Sequence, residues 1–115
     1  MINKNSLSDS KFCGIKEFED RVECYMNGVY HKDDGPAIKY SDGKEIYYIN
    51  GKVHRQDGPA ILFASGTKAY YINNKLHRVD GPAIEFYDGS KEYYLCGEPY
   101  SYSDWLKIRK LVSFL

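Results

Sequence analysis

Three histidines are the residues of this chain whose type and spacing most suggest chemistry. His31, His54 and His77 lie 23 residues apart. Each is followed three residues later by an aspartate, in the order Asp34, Asp57 and Asp80. Imidazole nitrogens and carboxylate oxygens are zinc ligands, and a histidine oriented by a carboxylate is a common general base. The two chemistries to weigh are therefore a metal site and a catalytic site.

The equal spacing of the histidines argues against both chemistries. Equivalent residues of successive β-hairpins lie two strands apart, or roughly 9–10 Å, whereas zinc needs its nitrogen ligands within about 2 Å. A catalytic site needs one unique nucleophile and base, but here both residue types recur in series. We expect no metal, no cofactor and no enzymatic activity. We interpret the histidines as structural partners of the aspartates that follow, in the pairs His31–Asp34, His54–Asp57 and His77–Asp80.

Many other residues recur at the same offset of 23. Each histidine opens a string that ends in Asp-Gly-Pro-Ala-Ile, and a row of tyrosines keeps the same period: Tyr25, Tyr48, Tyr71 and Tyr94. Within one unit, two runs of β-branched and aromatic residues flank Asp42-Gly43, which is typical of a β-hairpin. The period of 23 residues therefore predicts a tandem array of hairpins.

The register of the hairpin decides which residues share a face. A two-residue loop at Asp42-Gly43 would place Ile38 opposite Tyr47. That register predicts a core face with, in the first full repeat, Ile38, Tyr40, Tyr47 and Ile49. It predicts a second, less apolar face that carries Lys39, Ile46, Leu62 and the four tyrosines of the row.

The predicted architecture is mostly β, a single-layer antiparallel meander of 23-residue hairpins that ends in a capping helix. The chain is one domain, 1–115, with a degenerate half-repeat at 12–28, three repeats at 29–97 and the helix at 101–115. Ser101 or Ser103 is expected to cap that helix. Its apolar stripe is expected to cover the core face of the sheet, and it consists of Trp105, Ile108, Leu111, Val112 and Leu115.

The repeat resembles the MORN (membrane occupation and recognition nexus) repeat. The best match runs from Tyr48 to Tyr71 through Asn50, Gly51, Lys52, His54, Gly58 and Gly66. Ordinary MORN units have His-Gly-x-Gly where this chain has His-Arg-x-Asp-Gly-Pro-Ala, a variant similar to repeats of uncharacterised phage and giant-virus proteins. The resemblance covers Tyr25 to Gly97 and implies a hairpin array. For function, it implies a scaffold or interaction module of one of many kinds.

The composition narrows the choice of partners and compartment. The 16 basic and 16 acidic side chains cancel, which disfavours nucleic acid and anionic membranes as partners. The start of the chain lacks the apolar core of a secretory signal. Three cysteines without framework spacing point to a reducing compartment, so we expect a cytoplasmic protein, in the host cytoplasm if the protein is viral. Cys24 and Cys96 would lie too far apart for a disulfide and are interpreted as small buried residues.

The tyrosine row has two interpretations that the sequence leaves open. It is either a stacked ladder that stabilises neighbouring strands or a binding surface for a protein, since tyrosine gives a large contact area with few rotors. The candidate binding residues are Tyr25, Tyr48, Tyr71 and Tyr94 with Lys39 and Leu62. The function expected is a non-enzymatic protein-interaction module, in a narrower form a phage or mobile-element inhibitor of a host defence protein. An immunity-type antitoxin, a structural scaffold and a homodimer remain open, and lipid binding ranks below them.

Overall fold

The computed structural model of the chain describes residues 14–112. Short strands make up most of this range, and one helix follows them. The strands are β1 (Gly14–Glu17), β2 (Arg21–Met26), β3 (Val29–Tyr30), β4 (Ile38–Tyr40), β5 (Glu45–Ile46), β6 (Tyr48–Ile49), β7 (Lys52–Val53), β8 (Ile61–Leu62), β9 (Lys68–Ala69), β10 (Tyr71–Ile72), β11 (Lys75–Leu76), β12 (Ile84–Glu85), β13 (Lys91–Leu95) and β14 (Glu98–Tyr100). Helix α1 spans Tyr102–Val112.

Ten of the described strands form one antiparallel sheet. Its order is β14-β13-β12-β9-β8-β5-β4-β2-β1, with β3 paired to β2 at the side, so the strands of the sheet follow one another in chain order. Two small hairpins, β6–β7 and β10–β11, branch from it. The shape is elongated, 57 × 31 × 17 Å. The predicted antiparallel meander with a C-terminal helix is confirmed. The predicted half-repeat begins at residue 12 and the predicted helix ends at residue 115, and both limits lie outside the described residues.

The hairpin loop at Asp42-Gly43 has three residues, not the two that we predicted. The amide of Tyr40 donates to the carbonyl of Lys44 at 2.8 Å, so Ser41, Asp42 and Gly43 form the loop. Gly43 has a φ of 102°, in a region that glycine adopts without strain. The same bond recurs from Phe63 to Thr67 and from Phe86 to Ser90. A three-residue loop with glycine at the left-handed position is a common hairpin connection.

The extra loop residue shifts the register by one. The residues after the loop therefore lie on the face opposite to the one that we predicted for them. Ile38 lies opposite Ile46, both buried, and Lys39 lies opposite Glu45. The predicted opposition of Ile38 and Tyr47 is wrong, because a shift of one residue moves a side chain to the other face. Tyr47 therefore does not belong to the buried face.

A second turn in each unit is a two-residue loop. Both loop residues have positive φ at positions 27–28, 50–51, 73–74 and 96–97, as type I′ hairpin turns require. Asparagine and glycine tolerate this geometry, and Asn50-Gly51 joins β6 to β7 so that Tyr48 lies opposite Val53. In the structure, one unit is the pair of hairpins between two connecting loops, so the units span 14–30, 37–53, 60–76 and 83–100. The turns stack along the array, because the amide of Gly51 donates to the carbonyl of Tyr30 in the preceding unit.

Helix α1 packs on the last unit of the array, where it covers Tyr93, the equivalent of the Tyr47 that we predicted on the core face. Ile38 and Ile46 lie on the other face of the sheet, so the predicted cover holds for Tyr93 and not for them. Ser101 caps the helix, as expected, through its hydroxyl, which accepts from the amide of Asp104 at 3.2 Å. The helix lies against β13 and β14. Its one fully buried side chain is Trp105, whose ring centroid lies 4.9 Å from that of Tyr93 and whose Nε1 donates to the carbonyl of Arg78 at 3.0 Å.

Trp105 offers a direct test of this end cap. Trp105→Phe keeps a ring against Tyr93 but loses the donor to Arg78, and we expect it to lower the free energy of unfolding by about 1 kcal/mol. Trp105→Ala also removes the buried ring and should lower it by about 3–5 kcal/mol. Urea unfolding followed by circular dichroism measures both. Equal losses for the two variants would contradict the assigned hydrogen bond and ring contact.

Candidate functional site: return loops and tyrosine stripe

The return loops are the segments 31–36, 54–59 and 77–82, which connect one hairpin unit to the next. In the second loop, the guanidinium of Arg55 lies over the ring of Tyr47 at 4.0 Å. Its Nε donates to Asp57 at 3.2 Å and its Nη1 to the carbonyl of Pro59 at 3.1 Å. The third loop repeats this clamp, with Arg78 over Tyr70 at 3.9 Å and bonded to Asp80 and to the carbonyl of Pro82. The His-Arg-x-Asp-Gly-Pro string therefore folds around its arginine.

The glycine of the string makes room for the arginine. A Cβ atom added to Gly58 would lie 2.9 Å from Cζ of Arg55, and one added to Gly81 would lie 2.7 Å from Cζ of Arg78. In the first loop, lysine stands in place of arginine, and a Cβ on Gly35 would meet the nearest atom of Lys32 at 3.6 Å. The first unit also has Cys24 where the others have the clamped tyrosine. The arginine and the tyrosine of the clamp are thus both absent from the first unit.

Gly58→Ala and Gly35→Ala form a matched pair that tests the clamp. Gly58→Ala should push the guanidinium of Arg55 off Tyr47 and lower the free energy of unfolding by about 1–2 kcal/mol, the loss of a cation–π contact and a hydrogen bond. Gly35→Ala should be neutral or slightly stabilising, since its Cβ would make only an ordinary van der Waals contact with Lys32 and alanine restricts the unfolded chain. Urea unfolding measures both changes. In an Arg55→Ala background the cost of Gly58→Ala should disappear, and a cost that persists would show that the clamp is not its cause.

The three histidines bond to the next unit, and the predicted pairing with the aspartate three residues on is wrong for the second and third. Nδ1 of His31 accepts from the amide of Asn50 at 2.8 Å, and His54 and His77 accept likewise from Asn73 and Cys96. Asp57 and Asp80 are bonded by the arginines of their own loops. Nε2 of His31 contacts Asp33 at 2.8 Å, which is two residues on and not the predicted Asp34. Each histidine therefore holds the first residue of the following type I′ turn.

This use of Nδ1 bears on the metal chemistry raised by the sequence. A neutral imidazole that accepts at Nδ1 carries its proton on Nε2. An ion at Nδ1 would break the bond between units, and an ion at Nε2 would have to displace the proton held there. Within residues 14–112, no three His, Cys, Asp or Glu side chains gather closely enough to hold a metal ion. Cys24 is buried and Cys96 is exposed, and both are free thiols, so the buried role expected of Cys96 is wrong.

The bond from Cys96 to His77 predicts a dependence of stability on pH. Burial lowers the pKa of His77 below its usual 6.5. The unfolded chain therefore binds a proton more readily than the folded chain, so the stability contributed by neutral His77 is present above about pH 6.5 and is lost as pH falls toward the folded pKa. We expect the free energy of unfolding to decline between pH 7 and pH 5.

Two substitutions separate this titration from that of the carboxylates. His77→Asn keeps an acceptor for the amide of Cys96 but cannot titrate. Its free energy of unfolding should therefore decline less than that of the wild type between pH 7 and pH 5. His77→Leu removes the acceptor and should be less stable than His77→Asn at pH 8. Urea unfolding at pH 5, 6, 7 and 8 checks both. The same slope in the wild type and in His77→Asn would exclude His77 as the titrating group.

The tyrosine row is part of a continuous stripe on the face of the sheet that carries Ile38 and Ile46, and its four tyrosines are half-buried. Each tyrosine lies opposite a residue of the return strand, in the pairs Tyr25–Tyr30, Tyr48–Val53, Tyr71–Leu76 and Tyr94–Pro99. The ring of Tyr30 lies 4.9 Å from those of both Tyr25 and Tyr48. We call these eight residues the tyrosine stripe. Tyr30, Val53, Leu76 and Pro99 were missed from the sequence, although they keep the same 23-residue offset.

The two ends of the stripe are acidic and its middle is apolar. The hydroxyl of Tyr25 donates to the buried carboxylate of Glu23, which also accepts from Arg21 at 2.6 Å. These bonds lower the pKa of Glu23, and the bond to Glu23 raises that of Tyr25. At the other end, Tyr94 donates to Glu92 at 3.2 Å. The two central units have Ile46 and Ala69 where the ends have glutamates.

Lys39 and Leu62, which were predicted to flank the tyrosines, lie on the opposite face. They belong to a line of opposed side chains that crosses the sheet: Lys39–Glu45, Glu45–Leu62, Leu62–Lys68, Lys68–Glu85 and Glu85–Lys91. Alternating charges stabilise neighbouring strands and suit a solvated face. The structure therefore brings the four tyrosines together and separates them from Lys39 and Leu62.

Two grooves lie between successive return loops. The first is walled by Lys32 to Gly35 and by His54 to Asp57, over Tyr47 and Ile49, and has a volume of about 560 Å³. The second is walled by Arg55 to Gly58 and by His77 to Asp80, over Tyr70 and Ile72, and has a volume of about 570 Å³. We call them groove 1 and groove 2. They are the same structure displaced by one repeat.

Comparison with known proteins places this chain in no group. No protein-family model, no curated protein and no solved structure matches it. The helix of the described range is too short and too polar to cross a membrane. What the chain does must therefore be argued from its own surfaces.

Proposed function

We propose that this chain is a non-enzymatic protein-interaction module that presents the tyrosine stripe to a partner. The observation that carries the proposal is the composition of the stripe, with four tyrosines of the row half-buried along one line. Tyrosine is enriched in protein interfaces, where it offers a large amphipathic surface at a low cost in side-chain entropy. The ring contacts that join Tyr25, Tyr30 and Tyr48 order that part of the stripe, so it needs little rearrangement on binding.

The distribution of charge along the stripe supports the same function. Protein interfaces commonly have an apolar centre and a polar rim. Here the centre is formed by Tyr48, Val53, Tyr71 and Leu76, and the ends carry Glu23 and Glu92. A partner with an apolar centre would match this arrangement.

The resemblance to the phage and giant-virus repeats suggests a narrower form of this proposal, an inhibitor that covers a host defence protein in the host cytoplasm. An immunity-type antitoxin or a scaffold would use the same surface in the same way. The identity of the bound protein separates these forms: a defence component indicates an inhibitor, and a toxin indicates an antitoxin.

Capture of proteins from a host lysate, followed by affinity measurement with the purified partner, tests the proposal. Tyr71→Ala should weaken binding by about 2 kcal/mol or more, roughly thirtyfold, as loss of a central aromatic residue commonly does. The matched control is Tyr87→Ala, the same substitution at a tyrosine that is 74% exposed and lies outside the stripe. Circular dichroism must show that both variants are folded. If Tyr48→Ala and Tyr71→Ala bind the partner as wild type does, the stripe is not the binding surface.

A further inference from the structure

The third equivalent of grooves 1 and 2 exists in this chain, and helix α1 covers it. Its wall is the third return loop and its floor is Tyr93 with Leu95, by the 23-residue offset from Tyr70 and Ile72. Trp105 packs on Tyr93 and donates to the carbonyl of Arg78, while Arg109 donates to the carbonyl of Val79 at 3.2 Å. Leu95 is 2% exposed, whereas Ile49 and Ile72 are half-buried.

The helix thus shows what chemistry this kind of groove accepts. An indole packs over the floor, its N–H bonds the wall, and an arginine one helical turn later bonds the next carbonyl of the wall. The carbonyls equivalent to that of Arg78 are those of Lys32 in groove 1 and Arg55 in groove 2. Within residues 14–112, no N–H or O–H group donates to either of these two carbonyls.

The charges of groove 1 favour the same kind of occupant. Asp33, Asp34 and Asp57 line it against two cations, Lys32 and Arg55. The guanidinium of Arg55 is already held over Tyr47, and the side chain of Asp57 is 89% exposed. Helix α1 is itself basic, with Lys107, Arg109 and Lys110 against Asp104. In groove 2, two aspartates face two arginines, so its charge is balanced.

We propose that groove 1, and more weakly groove 2, docks a basic amphipathic segment of a partner protein that presents a tryptophan followed four residues later by an arginine. Because Trp105 stands where groove 1 has Arg55, the segment shares with α1 only the bonds to the return loop: its indole N–H to the carbonyl of Lys32 and its arginine to the carbonyl of Asp33. The arginine clamp already covers one side of Tyr47, so the incoming indole packs beside the clamp and bonds the carbonyl of Lys32. This surface lies apart from the tyrosine stripe, since clamped and stripe tyrosines are neighbours in the chain and point to opposite faces.

A synthetic peptide with the sequence of residues 101–112, acetylated and amidated, is the probe. It is added to the ¹⁵N-labelled intact chain, and amide shifts are recorded for Gly35 in groove 1, Gly58 in groove 2 and Gly81 in the covered groove. We expect saturable shifts at Gly35, with a Kd of about 1 mM or tighter, and weaker binding at Gly58. The control peptide has alanine at the position that matches Trp105, and it should lose most of the shift.

Two protein variants test where the peptide binds. Asp34→Lys alters groove 1 alone, so it should weaken binding at Gly35 several-fold and leave Gly58 unchanged. Tyr71→Ala should bind the peptide as wild type does, which separates this proposal from that of the stripe. The proposal is overturned if Gly35 does not shift, if the alanine peptide shifts it equally, or if Asp34→Lys has no effect. Shifts at Gly81 alone would mean that the peptide merely replaces α1, and would overturn it as well.

Discussion

The bond from a histidine of one unit to the backbone of the next is the interaction on which this structure depends. A type I′ turn leaves amides that point away from its own hairpin, and an amide without a partner is costly where water is excluded. Here the amide of Asn50 is accepted by His31 and that of Gly51 by the carbonyl of Tyr30, both in the preceding unit. Each unit therefore completes the hydrogen bonding of its neighbour, and no single hairpin is a finished structure.

In an array built in this way, the first and last units need contacts that differ from those of the central units. At the C-terminal end, Tyr93 has no arginine eight residues on, because Ser101 occupies that position. Trp105 covers Tyr93 instead, and the helix bonds the carbonyls of the last loop. At the other end, Cys24 replaces the clamped tyrosine and Lys32 replaces the arginine. Both members of the clamp are thus absent from the first unit, so no arginine there lacks a tyrosine ring to pack on.

The sequence was sufficient for the architecture but not for the faces. The 23-residue period and the turn residues predicted the hairpins, the meander and the C-terminal helix, all of which are present. Asp42-Gly43 is compatible with a loop of two or three residues, since both need a residue of positive φ, and the choice of two reversed the faces of the returning strand. The contacts of His31 and Trp105 could not be predicted because their partners are 19 and 27 residues away along the chain. The partners of Arg55 are near in sequence, but its bonds depend on the folded path of the return loop.

The corrected register also changes what the two sides of the array can do. Tyr93 and Tyr94 are neighbours in β13, so one belongs to the side of the arginine clamps and the other to the tyrosine stripe. Repetition carries both rows along the array, with four tyrosines and acidic ends on one side and two charged grooves on the other. A substitution in one unit alters one element of one row and leaves the equivalent elements of the other units in place, as expected of arrays stabilised by contacts between nearest neighbours. The separation of the two rows follows from the alternation of a strand, so the sheet offers two surfaces that can change independently.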